Sequence, residues 1–126
     1  MKIYDVMNQI AIIEEDIPLH EAANIMAKEN IGSLVFAPRN RPKGIITESD
    51  IVKHVDNTEA LVSEVMAKKL ITIDTEETLE KAAEIMSSNG IKRLIVMDGK
   101  KLVGIITATD ILENADLLNK NMELFG

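Results

Sequence analysis

The chain carries the same short sequence twice, sixty residues apart. Residues 44–51 read GIITESDI and residues 104–111 read GIITATDI. When residues 19–52 are aligned with residues 79–112, thirteen of the thirty-four positions are identical. A repeat at a fixed offset indicates that the chain is built from two copies of one supersecondary unit.

One copy is too short to form a well-buried core alone. A chain of roughly 60 residues buries only about 60% of the surface that its unfolded form exposes. We therefore expect the 126 residues to form one globular module with pseudo-twofold symmetry, in which residues 1–57 are the first motif and residues 58–126 the second. A Val-Met dipeptide lies near the start of each motif, at residues 6–7 and 65–66.

The composition is that of a globular protein with an aliphatic core. Hydrophobic residues make up 46% of the chain, and aromatic residues make up only 2%. No apolar run approaches the ~20 residues that span a bilayer, and the amino terminus lacks the pattern of a signal peptide. We therefore expect a cytoplasmic protein that does not bind membranes.

Charge and residue content exclude several classes of function. The net charge of −7 opposes binding to nucleic acids. The absence of cysteine excludes disulfides, thiolate catalysis and cysteine-ligated metals. The two histidines, His20 and His54, lack a cluster of further ligands, so neither a metal site nor a catalytic constellation is expected. We expect no enzymatic activity and no required cofactor.

The spacing of apolar residues predicts an amphipathic helix early in each copy. Apolar side chains recur at positions i, i+3, i+4 and i+7 within residues 19–26 and again within residues 79–86. Asn30 and Gly90 follow at equivalent positions, and both tolerate the left-handed conformation that ends many helices. Pro18 is expected in the first turn of the earlier helix.

Each helix is expected to lead into a β-hairpin. A short run of branched apolar residues is followed by a turn and by a second run that ends in Gly-Ile-Ile-Thr. Asp98 and Gly99 favour a tight primed turn in the second copy. Pro38 and Pro42 predict a loop of different shape in the first copy.

Short strands and final helices complete the predicted elements. The strands are expected at residues 11–13 and 71–73, and the final helices begin near residues 49 and 109. The apolar face expected for the last helix consists of Ile111, Ala115, Leu118 and Met122. Each copy then has the order β-α-β-β-α, so the predicted fold class is α/β.

The repeated Thr-x-x-Asp sequence carries the most specific chemistry of the chain. It pairs Thr47 with Asp50 and Thr107 with Asp110. This spacing is common at helix starts, where hydroxyl and carboxylate accept backbone N–H groups, and capping is the commoner explanation. A carboxylate also suits the two vicinal hydroxyls of a ribose, and a hydroxyl at a helix start suits a phosphate. Both roles can hold at once.

In this order the motifs resemble a tandem pair of cystathionine β-synthase (CBS) domains, an arrangement called a Bateman module. The resemblance covers almost the whole chain. It is carried by the Val-Met dipeptides, the Ala-Ala-x-Ile-Met helices, the sequence IKRLIV at residues 91–96 and the GIITxxDI sequence that closes each copy. It implies two clefts between the copies that bind AMP, ADP, ATP or S-adenosylmethionine as regulatory ligands.

The resemblance also implies roles for individual residues. Asp50 and Asp110 match the family's ribose-binding acid, and Thr47 and Thr107 match its accompanying hydroxyl. The other matching positions are apolar and are equally compatible with an ordinary core. They are Ile45 and Ile105 against the adenine, and Ala11 and Ile71, which contact the base from the other copy.

The two copies differ at the positions that recognise charge. Arg93 matches a position that often reaches the phosphate, and its counterpart in the first copy is Ser33. Lys92, beside it, corresponds to a glycine. We therefore hypothesise that the cleft with Asp110 and Arg93 is the better phosphate site. The cleft with Asp50 is then weaker, prefers an uncharged tail or is empty.

These features predict a regulatory module in which an adenosyl ligand shifts the packing of the copies and an unidentified partner protein responds. The resemblance also implies a homodimer that packs through helices, with a contribution from residues 117–125. The alternative is an interaction scaffold in which the Thr-x-x-Asp pairs only cap helices. A third possibility is an accessory protein whose loop 39–43, with three cations, docks on a catalytic partner; a solvated turn is the simpler explanation of that loop.

Overall fold

The computed structural model describes residues 1–114, and these residues fall into two compact units. The first unit comprises Ile10–Leu70, and the second combines Met1–Gln9 with the chain from Ile71 onward. Each unit therefore joins one sequence repeat to the short segment that precedes the other repeat. Within the described residues, no helix is long and apolar enough to cross a membrane.

The first unit contains every element predicted for one repeat. A single helical turn, α1 (Ile3–Val6), comes earlier in the chain and belongs to the second unit. The elements of the first unit are β1 (Ile12–Ile13), α2 (Leu19–Glu29), β2 (Ser33–Phe36), a 3₁₀ turn (Pro38–Asn40), β3 (Gly44–Thr47), α3 (Glu48–Lys53) and α4 (Val62–Val65). Strand β2 is the centre of the sheet, because it pairs with β1 in parallel and with β3 in antiparallel orientation.

The second unit has the same arrangement. Its further elements are β4 (Thr72–Asp74), α5 (Leu79–Asn89), β5 (Arg93–Asp98), β6 (Lys101–Thr107) and a helix α6 over residues 108–114. The strand order β4-β5-β6 repeats the directions of the first sheet. The predicted β-α-β-β-α order and the α/β class are confirmed. The positions of the last helix beyond residue 114, and the dimer contact expected at residues 117–125, lie outside the described residues.

The ends of the long helices follow from local conformational preferences. Asn30 (φ 53°) and Gly90 (φ 63°) adopt the left-handed conformation that was expected to end α2 and α5. Thr78 caps α5, because its side chain accepts a hydrogen bond from the Lys81 N–H at 3.1 Å. Pro18 was expected inside the first turn of α2, but it precedes the helix as its N-cap because its ψ of 156° is extended.

One face of each sheet packs against the long helix of its own unit. The buried cluster of the first unit joins α2 to β2 and β3, and that of the second unit joins α5 to β4, β5 and β6. The two clusters use equivalent positions of the repeat, which include Leu19/Leu79, Ala22/Ala82, Met26/Met86, Leu34/Leu94 and Ile46/Ile106. Because side chains alternate along a strand, the intervening residues point to the opposite face of the sheet.

The two hairpin loops differ, as their sequences predict. In the second unit Asp98 pairs with Lys101, and the two-residue loop begins at Gly99, whose φ of 62° is the positive value that a primed turn requires. In the first unit the 3₁₀ turn places Arg39 and Asn40 at positive φ. The first loop is therefore longer and irregular.

A Val-Met segment crosses each hairpin at the glycine of the Gly-Ile-Ile-Thr sequence. In the second unit a Cβ on Gly104 would lie 2.8 Å from Met7 Sδ and 2.9 Å from the Asn8 carbonyl oxygen. In the first unit a Cβ on Gly44 would overlap the Met66 side chain. Glycine is needed at both positions because it lets another backbone approach closely. We call residues 6–8 and 65–67 the crossing segments.

Paired backbone hydrogen bonds fix both crossings. The Asn8 N–H donates to the Ile105 carbonyl at 2.8 Å, and the Ile105 N–H donates back to the Asn8 carbonyl at 3.0 Å. Ile45 and Ala67 exchange the equivalent pair of bonds at 3.0 and 2.9 Å. The two units therefore have the same backbone arrangement at this point, and only the side chains differ.

The amino-terminal residues of the second unit are also held upstream of the crossing. Ile3 is fully buried, and its N–H donates to the Glu77 carbonyl at 2.9 Å. The Lys2 ammonium donates a hydrogen bond to the Glu76 carboxylate, which raises the pKa of Lys2 above its ordinary value. These contacts attach the start of the chain to the second repeat.

We predict that Gly104→Ala lowers the free energy of unfolding by about 1–3 kcal/mol, because the added methyl group overpacks the crossing. Urea unfolding followed by circular dichroism measures the change. Lys100→Ala, in the exposed hairpin loop of the same unit, is the control and should stay within about 0.5 kcal/mol of the wild type. Equal stability of the two variants would show that the crossing accommodates a side chain.

Candidate functional site

Asp110 is hydrogen-bonded to the start of its own helix. Its Oδ2 atom accepts hydrogen bonds from the Thr107 N–H and from the Thr107 hydroxyl, both at 2.8 Å. The Asp110 N–H donates in return to Thr107 Oγ1 at 3.2 Å. This reciprocal pattern is a capping box, so the capping geometry expected from the spacing is present in the second unit. Both side chains are half-buried.

A third donor reaches the same oxygen of Asp110. The Asn8 amide nitrogen Nδ2 donates to Asp110 Oδ2 at 2.7 Å. None of residues 1–114 donates a hydrogen bond to Asp110 Oδ1. Because a carboxylate offers about four lone-pair sites over its two oxygens, Oδ1 keeps its full acceptor capacity.

Asn8 is not among the site residues predicted from the sequence. The signal available was a single difference between the copies, Val-Met-Asn in one crossing segment and Val-Met-Ala in the other. This difference acquires meaning only when the crossing segment is known to reach Asp110.

Asp50 has a simpler environment in the first unit. Its Oδ2 atom accepts hydrogen bonds from the Thr47 N–H at 2.9 Å and from the Thr47 hydroxyl at 3.1 Å. Ala67 occupies the backbone position that Asn8 has in the other unit, and it carries no polar side chain. Asp50 Oδ2 therefore accepts two hydrogen bonds from the described residues, whereas Asp110 Oδ2 accepts three.

The apolar residues expected to contact the adenine do not share one face of the sheet, because Ile71 and Ala11 pack against the buried clusters and Ile105 and Ile45 alternate with the buried Ile106 and Ile46. In the second unit the Ile71 carbonyl accepts a hydrogen bond from the Ile95 N–H at 3.3 Å, and Ile95 lies directly opposite Ile105. In the first unit Val35 has the equivalent contacts, with the Ala11 carbonyl and with Ile45 opposite it. Strand alternation directs the pairs Ile95/Ile105 and Val35/Ile45 to the sheet face that is opposite the long helix. Ile105 and Ile45 also exchange backbone hydrogen bonds with a crossing segment.

Arg93 lies directly opposite Thr107 in the antiparallel pair of β5 and β6. Residues in this relation have side chains on the same face of the sheet, so the structure brings Arg93, Thr107 and Asp110 to one end of β6. The half-buried Arg93 has no ion-pair partner within residues 1–114. Its guanidinium is therefore available to an anion.

Ser33 and Lys92 complete the residues expected at the two sites. Ser33 lies directly opposite Thr47, which is the position that Arg93 has in the second unit. The Lys92 carbonyl accepts the Ala108 N–H at 2.9 Å, and the Lys92 side chain is exposed. We call Arg93, Thr107, Asp110 and Asn8 the Asp110 site, and Ser33, Thr47, Asp50 and Ala67 the Asp50 site.

Polar side chains near the two aspartates support the helices and do not form a metal site. His54 Nδ1 lies 2.8 Å from the Asp50 carbonyl oxygen, and Asn114 Nδ2 donates to the Asp110 carbonyl at the same distance. In the described part of the chain, no group of three or more His, Cys, Asp or Glu side chains is placed to hold a metal ion.

We predict that Thr107→Val destabilises the protein by about 1 kcal/mol, because valine keeps the shape of the side chain and loses the capping hydroxyl. Thr107→Ser keeps the hydroxyl and should retain most of the stability. Urea unfolding of the two variants and the wild type gives the comparison. If Thr107→Val and Thr107→Ser unfold at the same urea concentration, the hydroxyl contributes nothing to the cap.

Comparison with known protein sequences identifies the repeats. The model of the CBS domain family matches residues 3–57 and 62–116. The uncharacterized protein MJ1232 of Methanocaldococcus jannaschii is 35% identical over 115 residues, which are 90% of this chain and 39% of that protein. The CBS domain-containing protein YhcV of Bacillus subtilis is 30% identical over 110 residues, or 84% of this chain and 79% of that protein. The chain thus spans well under half of MJ1232 and most of YhcV.

A solved structure has the same fold over nearly the whole chain. The CBS domain pair of protein MJ0100, in complex with 5′-methylthioadenosine and S-adenosyl-L-methionine, matches with a TM-score of 0.81 and 29% identity. The match covers 96% of this chain and 98% of that one. Together with the two family matches, this similarity shows that the chain belongs to the CBS domain family and that its repeats are a CBS domain pair.

Proposed function

We propose that the protein is a regulatory module that binds an adenosyl compound and reports the binding to a partner protein. The observation that supports this most strongly is the pair of carboxylates, Asp50 and Asp110, each fixed at a helix start through Oδ2. The adenosyl ligands of the MJ0100 domain pair support the class of ligand.

The geometry suits a ribose. The two vicinal hydroxyls of a ribose are donors, and an ionised carboxylate is an acceptor with room for both. Thr47 and Thr107 fix the carboxylates, so little side-chain freedom is lost when a ligand binds. Ile45 and Ile105 then offer an apolar surface to the base, whereas Ala11 and Ile71 pack against the buried cluster of their own unit.

The two sites differ in how they can treat a phosphate. Arg93 supplies a guanidinium with donors for phosphate oxygens, and Lys92 adds a positive charge nearby along the chain. Ser33 supplies only a hydroxyl at the equivalent position. We therefore propose that the Asp110 site binds the phosphate-bearing compounds AMP, ADP or ATP, and that the Asp50 site favours a ligand with an uncharged tail, such as 5′-methylthioadenosine.

Regulation requires the ligand to bind one arrangement of the protein more tightly than another. The differential affinity sets the largest shift of population that the ligand can cause. We assign no catalytic step to either site, because their side chains provide donors and acceptors for binding without pairing a nucleophile with a base.

The capping geometry favours a second candidate, an interaction scaffold without a small-molecule ligand. The bonds between Thr107 and Asp110 explain the presence of both side chains without any ligand. The scaffold and the sensor differ in one observable, which is the response of the protein to adenosyl compounds.

We predict that adenosyl compounds raise the melting temperature of the ligand-free protein and that GMP and GTP do not. A ligand at one hundred times its dissociation constant stabilises a protein by about 2.7 kcal/mol, which moves the melting temperature by several degrees. Calorimetry with AMP, ADP, ATP, S-adenosylmethionine and 5′-methylthioadenosine measures the shifts. No shift with any of these compounds, after confirming that nothing co-purified, would support the scaffold.

The same calorimetric panel separates the role of Arg93 from that of general charge. Arg93→Gln should reduce the shift caused by AMP and leave the shift caused by 5′-methylthioadenosine unchanged, because only AMP carries a phosphate. Lys92→Gln removes an adjacent exposed charge and is the matched control. An equal loss of the AMP response in both variants would assign the effect to net charge.

We also propose that the protein is a homodimer that packs through helices of the first unit. An apolar groove lies between α2 and α3, and its lining includes Met26, Ile51 and Val52. Val52 and Val55 are 71% and 74% exposed, so two valines three positions apart leave apolar surface open to solvent.

We predict that the protein sediments with twice the mass of its 13.9 kDa chain and that Val52→Glu sediments as a monomer. The glutamate places a charge in an apolar contact, and its position on the surface leaves the fold intact. Analytical ultracentrifugation gives the mass, and circular dichroism checks the fold of the variant. A monomeric wild type, or a variant that keeps the wild-type mass, would contradict this interface.

A further inference from the structure

The Asp110 site contains a side chain that the Asp50 site lacks. Asn8 and Ala67 occupy equivalent backbone positions, because each exchanges two hydrogen bonds with the isoleucine that follows the hairpin glycine. Asn8 places an amide on Asp110 Oδ2 at 2.7 Å, and Ala67 has no group that could reach Asp50. The two units therefore differ at this point in a side chain and share the backbone hydrogen bonds.

Asp110 Oδ2 is fully used in the ligand-free protein. It accepts three hydrogen bonds, from the Thr107 N–H, the Thr107 hydroxyl and the Asn8 amide, at 2.7 to 2.8 Å. A carboxylate oxygen has about two lone-pair sites, so Asp110 Oδ2 accepts one donor beyond that number, and Asn8 supplies this third donor. Within the described residues, the equivalent third place on Asp50 Oδ2 is open to a ligand. Asp50 Oδ2 accepts two bonds that are longer, at 2.9 and 3.1 Å.

We propose that Asn8 is a specificity-determining residue that competes with the ribose for the Asp110 carboxylate. A vicinal diol binds a carboxylate best when each hydroxyl donates to a different oxygen, as in other bidentate pairs. At Asp110 one hydroxyl finds Oδ1 open, and the other must displace the Asn8 amide from Oδ2. At Asp50 no amide has to be displaced. This inference rests on the proposed adenosyl function of the same site.

The Asn8 amide can leave Asp110 without movement of the backbone. Asn8 is exposed, and its backbone is held independently by the two bonds to Ile105. Its amide can therefore leave Oδ2 by rotation of the side chain while the crossing stays in place. The competition weakens ribose binding at the Asp110 site, so binding there depends more strongly on a phosphate contact with Arg93. The Asp110 site then discriminates between phosphate-bearing and uncharged adenosyl compounds more sharply than the Asp50 site.

The test isolates one site at a time by calorimetric titration with AMP. In an Asp50→Ala background, which leaves the Asp110 site, Asn8→Ala should tighten AMP binding roughly tenfold, the effect of one hydrogen bond to a charged group in a solvated site. In an Asp110→Ala background, Ala67→Asn should weaken binding at the Asp50 site by a similar factor. Asn8→Ala in this second background is the control and should change nothing.

A second ligand separates competition from a structural effect of the substitution. 2′-Deoxy-AMP has a single hydroxyl at the relevant edge of the sugar, and Asp110 Oδ1 can accept it without displacing Asn8. Asn8→Ala should therefore leave its affinity unchanged. Equal tightening of AMP and 2′-deoxy-AMP would overturn the competition, because it would show that Asn8 acts without regard to the diol.

The outcomes also distinguish this inference from the proposed function. If AMP binds in the Asp50→Ala background and Asn8→Ala has no effect on its affinity, the competition is wrong and the sensor function stands. A second outcome is that AMP binds at the Asp50 site but does not bind at the Asp110 site, whether Asn8 is present or replaced. In that case the competition is also wrong. If AMP and 5′-methylthioadenosine bind to no variant and not to the wild type, the sensor function fails and the inference fails with it.

Discussion

The close approach of each crossing segment to a hairpin glycine is the contact on which both units depend. Met7 and Met66 lie where a side chain on Gly104 or Gly44 would have to be. The segment that crosses a hairpin comes from the chain before the other repeat, so neither repeat contains all the residues of its own unit. The Val-Met and Gly-Ile-Ile-Thr sequences therefore recur together, because each needs the other to pack.

The same contact connects the fold to the site. It fixes the backbone of Asn8 against β6, which brings the Asn8 amide to a carboxylate that lies 102 positions later in the chain. Without the crossing, Asp110 would retain its cap and lose its third donor. The environment of the carboxylate is thus set by a long-range contact, although the Thr107 and Asp110 pair itself is local.

The sequence predicted the features that depend on neighbouring residues. These include the order of elements, the left-handed helix ends at Asn30 and Gly90 and the tight turn at Gly99, because each follows from local periodicity or from the conformational preference of one residue. The position of Pro18 was predicted wrongly by one residue, since its fixed φ is compatible with the first turn and with the cap before it. The role of Asn8 could not be predicted, because no local pattern shows where a crossing segment will pack.

The caps of the Thr-x-x-Asp pairs leave acceptor capacity on each carboxylate for a ligand. The cap occupies Oδ2, and Oδ1 accepts no hydrogen bond from residues 1–114. The copies can therefore diverge in recognition while they keep one fold. One unit has Arg93 where the other has Ser33, and Asn8 where the other has Ala67. These differences change what surrounds the carboxylate and leave the cap and the buried cluster unchanged. A duplicated unit built in this way can carry two sites of different selectivity on the same backbone fold.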